Sequence, residues 1–162
     1  RCVDVLLSLP GLLLALVFVA VLGEGRWQVA AAVGISLAPT YARLVRAAML
    51  SVREELYIEA TYALGASRWR VLWRHMFPNA MRQITAMATV VFAWALLNSA
   101  ALDFLGMAGS PSIPSWGRMI NEGRAFLSVA PWIAIGPGLM LTLSVVSVIG
   151  VSDSWRGRQL PL

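Results

Sequence analysis

The chain has 162 residues and a formal net charge of +5; 59% of its residues are hydrophobic and only 13% are charged, about half the charged share of soluble domains. All thirteen basic residues are arginine, which excludes a phosphate-binding lysine loop and Schiff-base chemistry, so any ATP hydrolysis must occur on another chain. One histidine and one cysteine exclude a multi-histidine or multi-cysteine metal site within the chain, and we expect a membrane protein without enzymatic activity, cofactor or metal.

Four apolar stretches predict an all-α fold, a polytopic helix bundle in which residues 1–162 form one transmembrane domain. A helix needs about 20 residues to cross the ~30 Å hydrocarbon core of a bilayer. The predicted spans cover residues 5–23, 25–42, 83–102 and 130–151. The second is short and crosses only if Arg43 and Arg46 extend their heads to the lipid headgroups, so an interfacial or re-entrant helix is the alternative. Barrel strands are not expected, because the runs are continuously apolar.

The arginines predict the orientation of these spans. If the first span runs outward, residues 43–82 form a cytoplasmic loop and residues 103–129 form an outer loop. Ten arginines then lie inside (Arg1, Arg43, Arg46, Arg53, Arg68, Arg70, Arg74, Arg82, Arg156 and Arg158) and three outside (Arg26, Arg118 and Arg124). This asymmetry obeys the positive-inside rule, so it indicates a lipid bilayer rather than nucleic acid as the partner.

Between the second and third spans lies a charged sequence, EATYALGASRWRVLWRHMFP, which we call the Arg-rich segment (residues 59–78). Gly65 stands where a glycine would end one short helix, and Ser67 where a side chain would cap the next. Apolar residues at helical spacing predict one buried face, with both tryptophans packed beneath the spans: Trp69, Leu72, Trp73 and Met76. Pro78 predicts that this helix stops and that Pro78-Asn79 turns into the third span.

Further along the chain, the third span ends in polar residues. Asn98, Ser99 and Asp103 are candidates for lining a translocation pathway, because polar groups at membrane depth usually face a bundle interior or a water-filled path. In the outer loop, residues 116–127 are expected to form a short interfacial helix.

The Arg-rich segment resembles the EAA motif of binding-protein-dependent ABC import permeases. Glu59, Ala60, Gly65 and Pro78 stand at matching positions, whereas Thr61, His75 and Phe77 depart from the pattern. The string RHMFPNA at 74–80 is similar to a variant found in the dipeptide, oligopeptide and nickel subfamily. Further blocks with the same resemblance are VDVLLSLPGLLLAL at 3–16, YARLVRAAMLSVREELYIEATYALGAS at 41–67, LDFLG at 102–106 and PSWG at 114–117.

This resemblance implies a permease subunit in a bacterial or archaeal cytoplasmic (inner) membrane, importing peptides or a related solute such as nickel. Its implied partners are ATP-binding ABC subunits, a second permease subunit and an extracytoplasmic solute-binding protein. The family permease has six spans, and this chain, which begins without Met directly at a span, is expected to hold the last four.

The resemblance also implies that the EAA-type loop docks on the ATP-binding subunit and transmits its movement. The residues assigned to this coupling are Glu59, Ala60, Thr61, Gly65, Ala66, Ser67, Arg68, Arg70 and Pro78. The alternative for the arginines is that they bind anionic lipid headgroups. The alternative for the whole chain is a truncated remnant or a non-transporting membrane scaffold.

Overall fold

The computed structural model describes residues 10–107, 109 and 113–157, with side chains described as far as Val151. Within these ranges all regular structure is helical, so the predicted all-α class is confirmed. The helices are α1 (Gly11–Leu22), α2 (Arg26–Arg53), α3 (Leu56–Ala63), α4 (Arg68–Val71), α5 (Phe77–Phe104), α6 (Trp116–Gly123) and α7 (Trp132–Gly157). The thiol of Cys2 and the arginines Arg1, Arg156 and Arg158, which entered the topology prediction, lie outside the described side chains.

The centre of the fold is the pairing of α2 with α5. Ala48 on α2 and Ala80 and Ile84 on α5 are buried against each other. The small alanine side chains allow the two backbones to approach closely, as is usual for helices that associate in a membrane. The hydroxyl of Tyr41 on α2 also donates to the carbonyl oxygen of Ile84 at 3.4 Å. This pair forms the frame on which the other helices pack.

A second core lies at the opposite end of the α2–α5 pair from α3 and α4. It is formed by Ala15, Val19, Val29, Ala32, Val33 and Leu102, which come from α1, α2 and the last turn of α5. The turn between α1 and α2 reverses the chain at Gly23 and Gly25, which have φ of +90° and +152°. The amide of Gly25 donates to the carbonyl oxygen of Met107 at 3.2 Å, so this turn meets the chain leaving α5.

The predicted spans differ in how well the described helices match them. Two described helices are long and apolar enough to cross a membrane, residues 68–104 and 132–151. The first contains the third predicted span, and the second covers the fourth predicted span except for residues 130 and 131. For the first span the structure describes α1, an apolar helix of 12 residues, and residues 1–9 lie outside the described part. The second predicted span lies on α2, which has 28 residues but falls short of the same apolar criterion.

The predicted helix stop and turn at Pro78-Asn79 is wrong, because residues 68–104 form one continuous helix of 37 residues. A proline inside an α-helix removes one hydrogen bond and crowds the carbonyl four residues earlier. Here residues Leu72–Met76 form a π-helical turn immediately before it, in which the amide of Phe77 donates to Leu72. Pro78 thereby occupies the first turn of α5, where its missing N–H is tolerated. The third span therefore has no loop before it.

Residues 103–129, which the sequence predicts to form an outer loop, contain the expected short helix, but this helix is packed between long helices. The helix α6 covers Trp116–Gly123, and a 3₁₀ turn follows at Arg124–Phe126. A Cβ atom at Gly117 would overlap the carbonyl oxygen of Ala100 on α5 and lie 2.8 Å from the Cβ of Asp103. A Cβ at Gly123 would lie 2.8 Å from the amide nitrogen of Ala134 on α7. The two glycines therefore let α6 wedge between α5 and α7.

This close approach predicts that Gly117→Ala destabilises the protein although alanine is the better helix former. The added methyl group has no space against the Ala100 carbonyl, and overpacking of this kind costs about 1 to 3 kcal/mol. The measurement is thermal unfolding in detergent. Gly136→Ala on α7 is the matched control, because its Cβ would meet nothing within 4 Å. Equal melting temperatures for the two variants would contradict the wedge.

Candidate functional site

The Arg-rich segment folds as the short helix α3 and the first turns of the helix of residues 68–104, joined at a glycine. Gly65 has φ of +82°, a conformation that other residues adopt only with strain. Its amide donates to the carbonyl of Tyr62 at 2.9 Å and the amide of Ala66 donates to that of Thr61 at 3.3 Å, which together form a Schellman motif. The Ser67 hydroxyl then accepts from the amide of Arg70 at 3.4 Å and caps α4. The predicted helix end at Gly65 and the cap at Ser67 are both present.

A small core attaches these helices to the end of α2. Ile58 on α3, Val71 on α4 and Met76 in the π-helical turn are buried together. Met49 and Val52 from the last turns of α2 pack against them. This contact fixes the position of α3 and α4 relative to the long helices, so the segment is a compact unit and not a free loop.

The buried face of residues 68–77 agrees only in part with the one predicted from the spacing, because Met76 is buried and Leu72 is half-buried but both tryptophans are exposed. Trp69 is 70% exposed and Trp73 is 59% exposed, so the tryptophans do not pack beneath the spans. Val71, which the spacing did not predict, is buried together with Met76, and Met49 and Val52 on α2 pack against them. The ring of Trp73 makes a tilted contact with that of Phe77, one helical turn later, at 5.3 Å between ring centroids and an angle of 54°. Large aromatic side chains are therefore displayed at the surface.

The residues assigned to coupling occupy this displayed surface. Those that are exposed are Glu59, Ala60, Gly65, Ser67, Arg68, Arg70 and Pro78, and those that are half-buried are Thr61 and Ala66. The Thr61 hydroxyl donates to the carbonyl of Tyr57 at 2.7 Å, so it is used within its own helix. Leu64, beside the glycine turn, is 89% exposed. Sequence reasoning missed Leu64, although its position next to a surface glycine turn is a signal for exposure.

The three candidate pathway residues are divided between two environments. Ser99 and Asp103 line a cleft of about 390 Å³ between α5, α6 and α7, which we call the outer cleft because it adjoins the predicted outer loop. Asn98 is not among its lining residues and its amide donates to the carbonyl of Trp94 on the same helix, at 3.0 Å. The other lining residues, which the sequence did not identify, are Leu96, Ala100, Pro114, Ser115, Trp116, Gly117, Met119 and Leu141.

Metal binding has no support among the side chains that the structure describes. In that part of the chain no three histidine, cysteine, aspartate or glutamate side chains lie close enough together to hold an ion. The structure thus offers two candidate sites, neither of them a metal site among the described residues. One is the exposed surface of the Arg-rich segment at one end of the bundle, and the other is the outer cleft, with one carboxylate, at the opposite end.

Comparison with known proteins identifies the family. The family model described as "Binding-protein-dependent transport system inner membrane component" matches residues 1–160. The glutathione transport system permease protein GsiD of Pectobacterium atrosepticum is 37% identical over 156 residues, covering 96% of this chain and 52% of that protein. The dipeptide transport system permease protein DppC of Alkalihalophilus pseudofirmus is 36% identical, covering 96% of this chain and 51% of that protein.

A third relative, the GsiD protein of Escherichia coli O1:K1 / APEC, is 38% identical with 96% and 52% coverage. The chain thus spans about half the length of the curated relatives it matches. The match of nearly every residue to the family, together with an all-helical fold containing long apolar helices, confirms the resemblance seen in the sequence. The chain belongs to the family of inner membrane components of binding-protein-dependent transport systems.

Proposed function

We propose that this chain acts as the permease subunit of an ABC importer for small peptides such as dipeptides or glutathione, driven by ATP hydrolysis on a separate subunit. The names of its relatives, which transport dipeptides or glutathione, favour peptides over nickel as the solute. The absence of lysine from the sequence supports the division of labour, because the chain cannot form a phosphate-binding loop of its own. The partners in this proposal are the ATP-binding subunits, a second permease subunit and an extracytoplasmic binding protein.

The proposed topology has four spans, on α1, α2, α5 and α7, with α3 and α4 in the cytoplasm. The placement of the described arginines supports it. Towards the end that carries α3 and α4 lie Arg43, Arg46, Arg53, Arg68, Arg70, Arg74 and Arg82, and towards the opposite end lie Arg26, Arg118 and Arg124. This difference fits the positive-inside rule, and it supports a cytoplasmic position for the Arg-rich segment. The exposed apolar faces of α7 then contact lipid or the second permease.

The observation that supports the coupling role is that large apolar side chains and arginines are exposed together on α3, α4 and the turn between them, which the small core holds against α2. Trp69 and Leu64 are more exposed than most hydrophobic residues of the chain, and Arg68 and Arg70 flank Trp69. Exposed aromatic and arginine side chains are the residue types that dominate binding energy at protein interfaces. We therefore assign this surface to docking on the ATP-binding subunit.

The coupling residues divide by role within this proposal. Glu59, Arg68 and Arg70 are exposed charges suited to direct contact with the partner. Thr61, Gly65 and Ser67 shape the two helices through the hydrogen bonds that end α3 and begin α4. Ala60 lies on the exposed side of α3, Ala66 packs against the small core, and Pro78 belongs to the helix that leads into the third span. Movement of the docked helices would thus reach the span without an intervening loop.

Replacing Gly65 by valine is predicted to weaken coupling. The backbone at Gly65 has φ of +82°, so a β-branched residue there adds about 1 to 2 kcal/mol of strain and shifts α4 relative to α3. We expect several-fold less ATP-binding subunit to copurify and a parallel loss of ATP-dependent uptake when the system is coexpressed. Gly23→Val is the matched control, since Gly23 has φ of +90°, equally open surroundings and a position at the opposite end. Equal losses in both variants would contradict the coupling role and leave a scaffold as the explanation.

Trp69→Ala is predicted to lower the affinity for the ATP-binding subunit while leaving the fold intact. Truncation of an exposed tryptophan at an interface centre costs about 2 kcal/mol, which is about 30-fold in affinity. The melting temperature should hardly change, because the side chain is 70% exposed. Trp27→Ala, at a 79% exposed tryptophan on α2 at the opposite end, provides the control. The measurement is the dissociation constant of the purified subunits in nanodiscs, and an unchanged value for Trp69→Ala would refute this docking surface.

A further inference from the structure

The outer cleft combines one carboxylate with an apolar wall. Asp103 and Ser99 lie on the same side of α5, one helical turn apart, and both line the cleft. Trp116 and Met119 on α6 and Leu141 on α7 supply apolar surface around them. The cleft has a volume of about 390 Å³, within the range of small-molecule sites.

The two polar side chains of the cleft differ from the other polar side chains of their helix. Thr85, Thr89 and Asn98 each donate to a backbone carbonyl one turn earlier, at 2.8, 3.1 and 3.0 Å. Among the hydrogen bonds that the structure describes, none involves the Ser99 hydroxyl or the Asp103 carboxylate. The hydroxyl and carboxylate oxygens are therefore open to accept hydrogen bonds from a molecule in the cleft.

The charge on the lining residues of the cleft favours a ligand with a cationic group. Asp103 is the only charged residue among the described lining residues. Arg118 is the basic residue nearest in sequence to Trp116 and Met119, yet it does not line the cleft, and its Nη2 atom donates to the carbonyl of Gly109 at 2.8 Å. A carboxylate attracts a cation by charge, and a tryptophan ring lining the same cleft can add the attraction of its quadrupole.

We propose that the outer cleft binds the primary ammonium group of the transported solute, with Asp103 as its counter-ion and Ser99 as a second acceptor. Trp116, Met119 and Leu141 cover the adjoining apolar part of the solute. Dipeptides and glutathione carry such an ammonium group at physiological pH, so the inference deepens the proposed function and rests on it. The close approach of Gly117 to Ala100 and Asp103 holds the wall of this site, because it places α6 directly against α5.

The test measures binding to the chain in phosphatidylcholine nanodiscs, without ATP-binding subunit or nucleotide. Ligand-observed NMR gives dissociation constants for Ala-Ala and for N-acetyl-Ala-Ala, which lacks the ammonium charge. We expect Ala-Ala to bind about tenfold more tightly, as a charge-assisted hydrogen bond implies, and Asp103→Asn to remove this preference. Asp103→Glu should retain it and Ser99→Ala should reduce it about threefold. Asn98→Ala is the matched control and should behave as the unmodified chain, because its amide bonds to its own helix.

Equal affinity for the two peptides, or an unchanged preference in Asp103→Asn with an unchanged melting temperature, would overturn the proposal. A second arm adds phosphatidylethanolamine to the nanodiscs, and loss of Ala-Ala binding there would assign the cleft to a lipid headgroup and overturn the solute assignment. Because no ATP-binding subunit is present in these nanodiscs, the measured peptide affinities do not depend on whether the Arg-rich segment docks on that subunit. An unchanged dissociation constant in the Trp69→Ala experiment, together with a retained ammonium preference, would remove the docking surface and leave the site in the cleft.

Discussion

The close pairing of α2 with α5 is the interaction on which the rest of this structure depends. It is possible because alanines stand where the two helices meet, at Ala48 and Ala80, so the backbones approach without large side chains between them. In a bilayer, an apolar side chain gains little free energy by moving from lipid to a contact with another helix. Helix association is therefore stabilised by close packing and by interhelical hydrogen bonds. The bond from Tyr41 to the Ile84 carbonyl adds such a term at the same contact.

Both candidate sites depend on this pair, at its two ends. At one end, the last turns of α2 supply Met49 and Val52, which hold α3 and α4 through Ile58 and Val71. At the other end, the last turns of α5 supply Ser99 and Asp103 to the outer cleft. The helix of residues 68–104 connects the two, over about 55 Å at the usual rise per residue. A continuous helix is stiffer than a loop, so displacement of the Arg-rich segment is expected to reach the cleft end as a movement of the whole helix.

The π-helical turn at Leu72–Met76 is the one irregular element within that rod. Such turns are rare and frequently lie at functional positions. Here it stands between the exposed Trp69 and the start of the apolar span, and it permits Pro78 to remain within the helix. At the opposite end of the bundle, α6 packs between α5 and α7. Its two glycines bring its backbone into direct contact with the backbones of those helices.

The sequence by itself determined the features that depend on short stretches of chain. The apolar runs predicted an all-helical membrane fold, and the local signals at Gly65 and Ser67 predicted one helix end and the next helix start, because a positive φ and a capping side chain act within a few residues. The EAA-type pattern, together with the further matching blocks along the chain, indicated the family. Only the tertiary structure decided which face of residues 68–77 is buried, since that depends on where Met49 and Val52 stand on α2. It likewise decided that the helix passes through Pro78, and that Ser99 and Asp103 share a cleft with Trp116 while Asn98 does not, because these outcomes arise from contacts between residues distant in the chain.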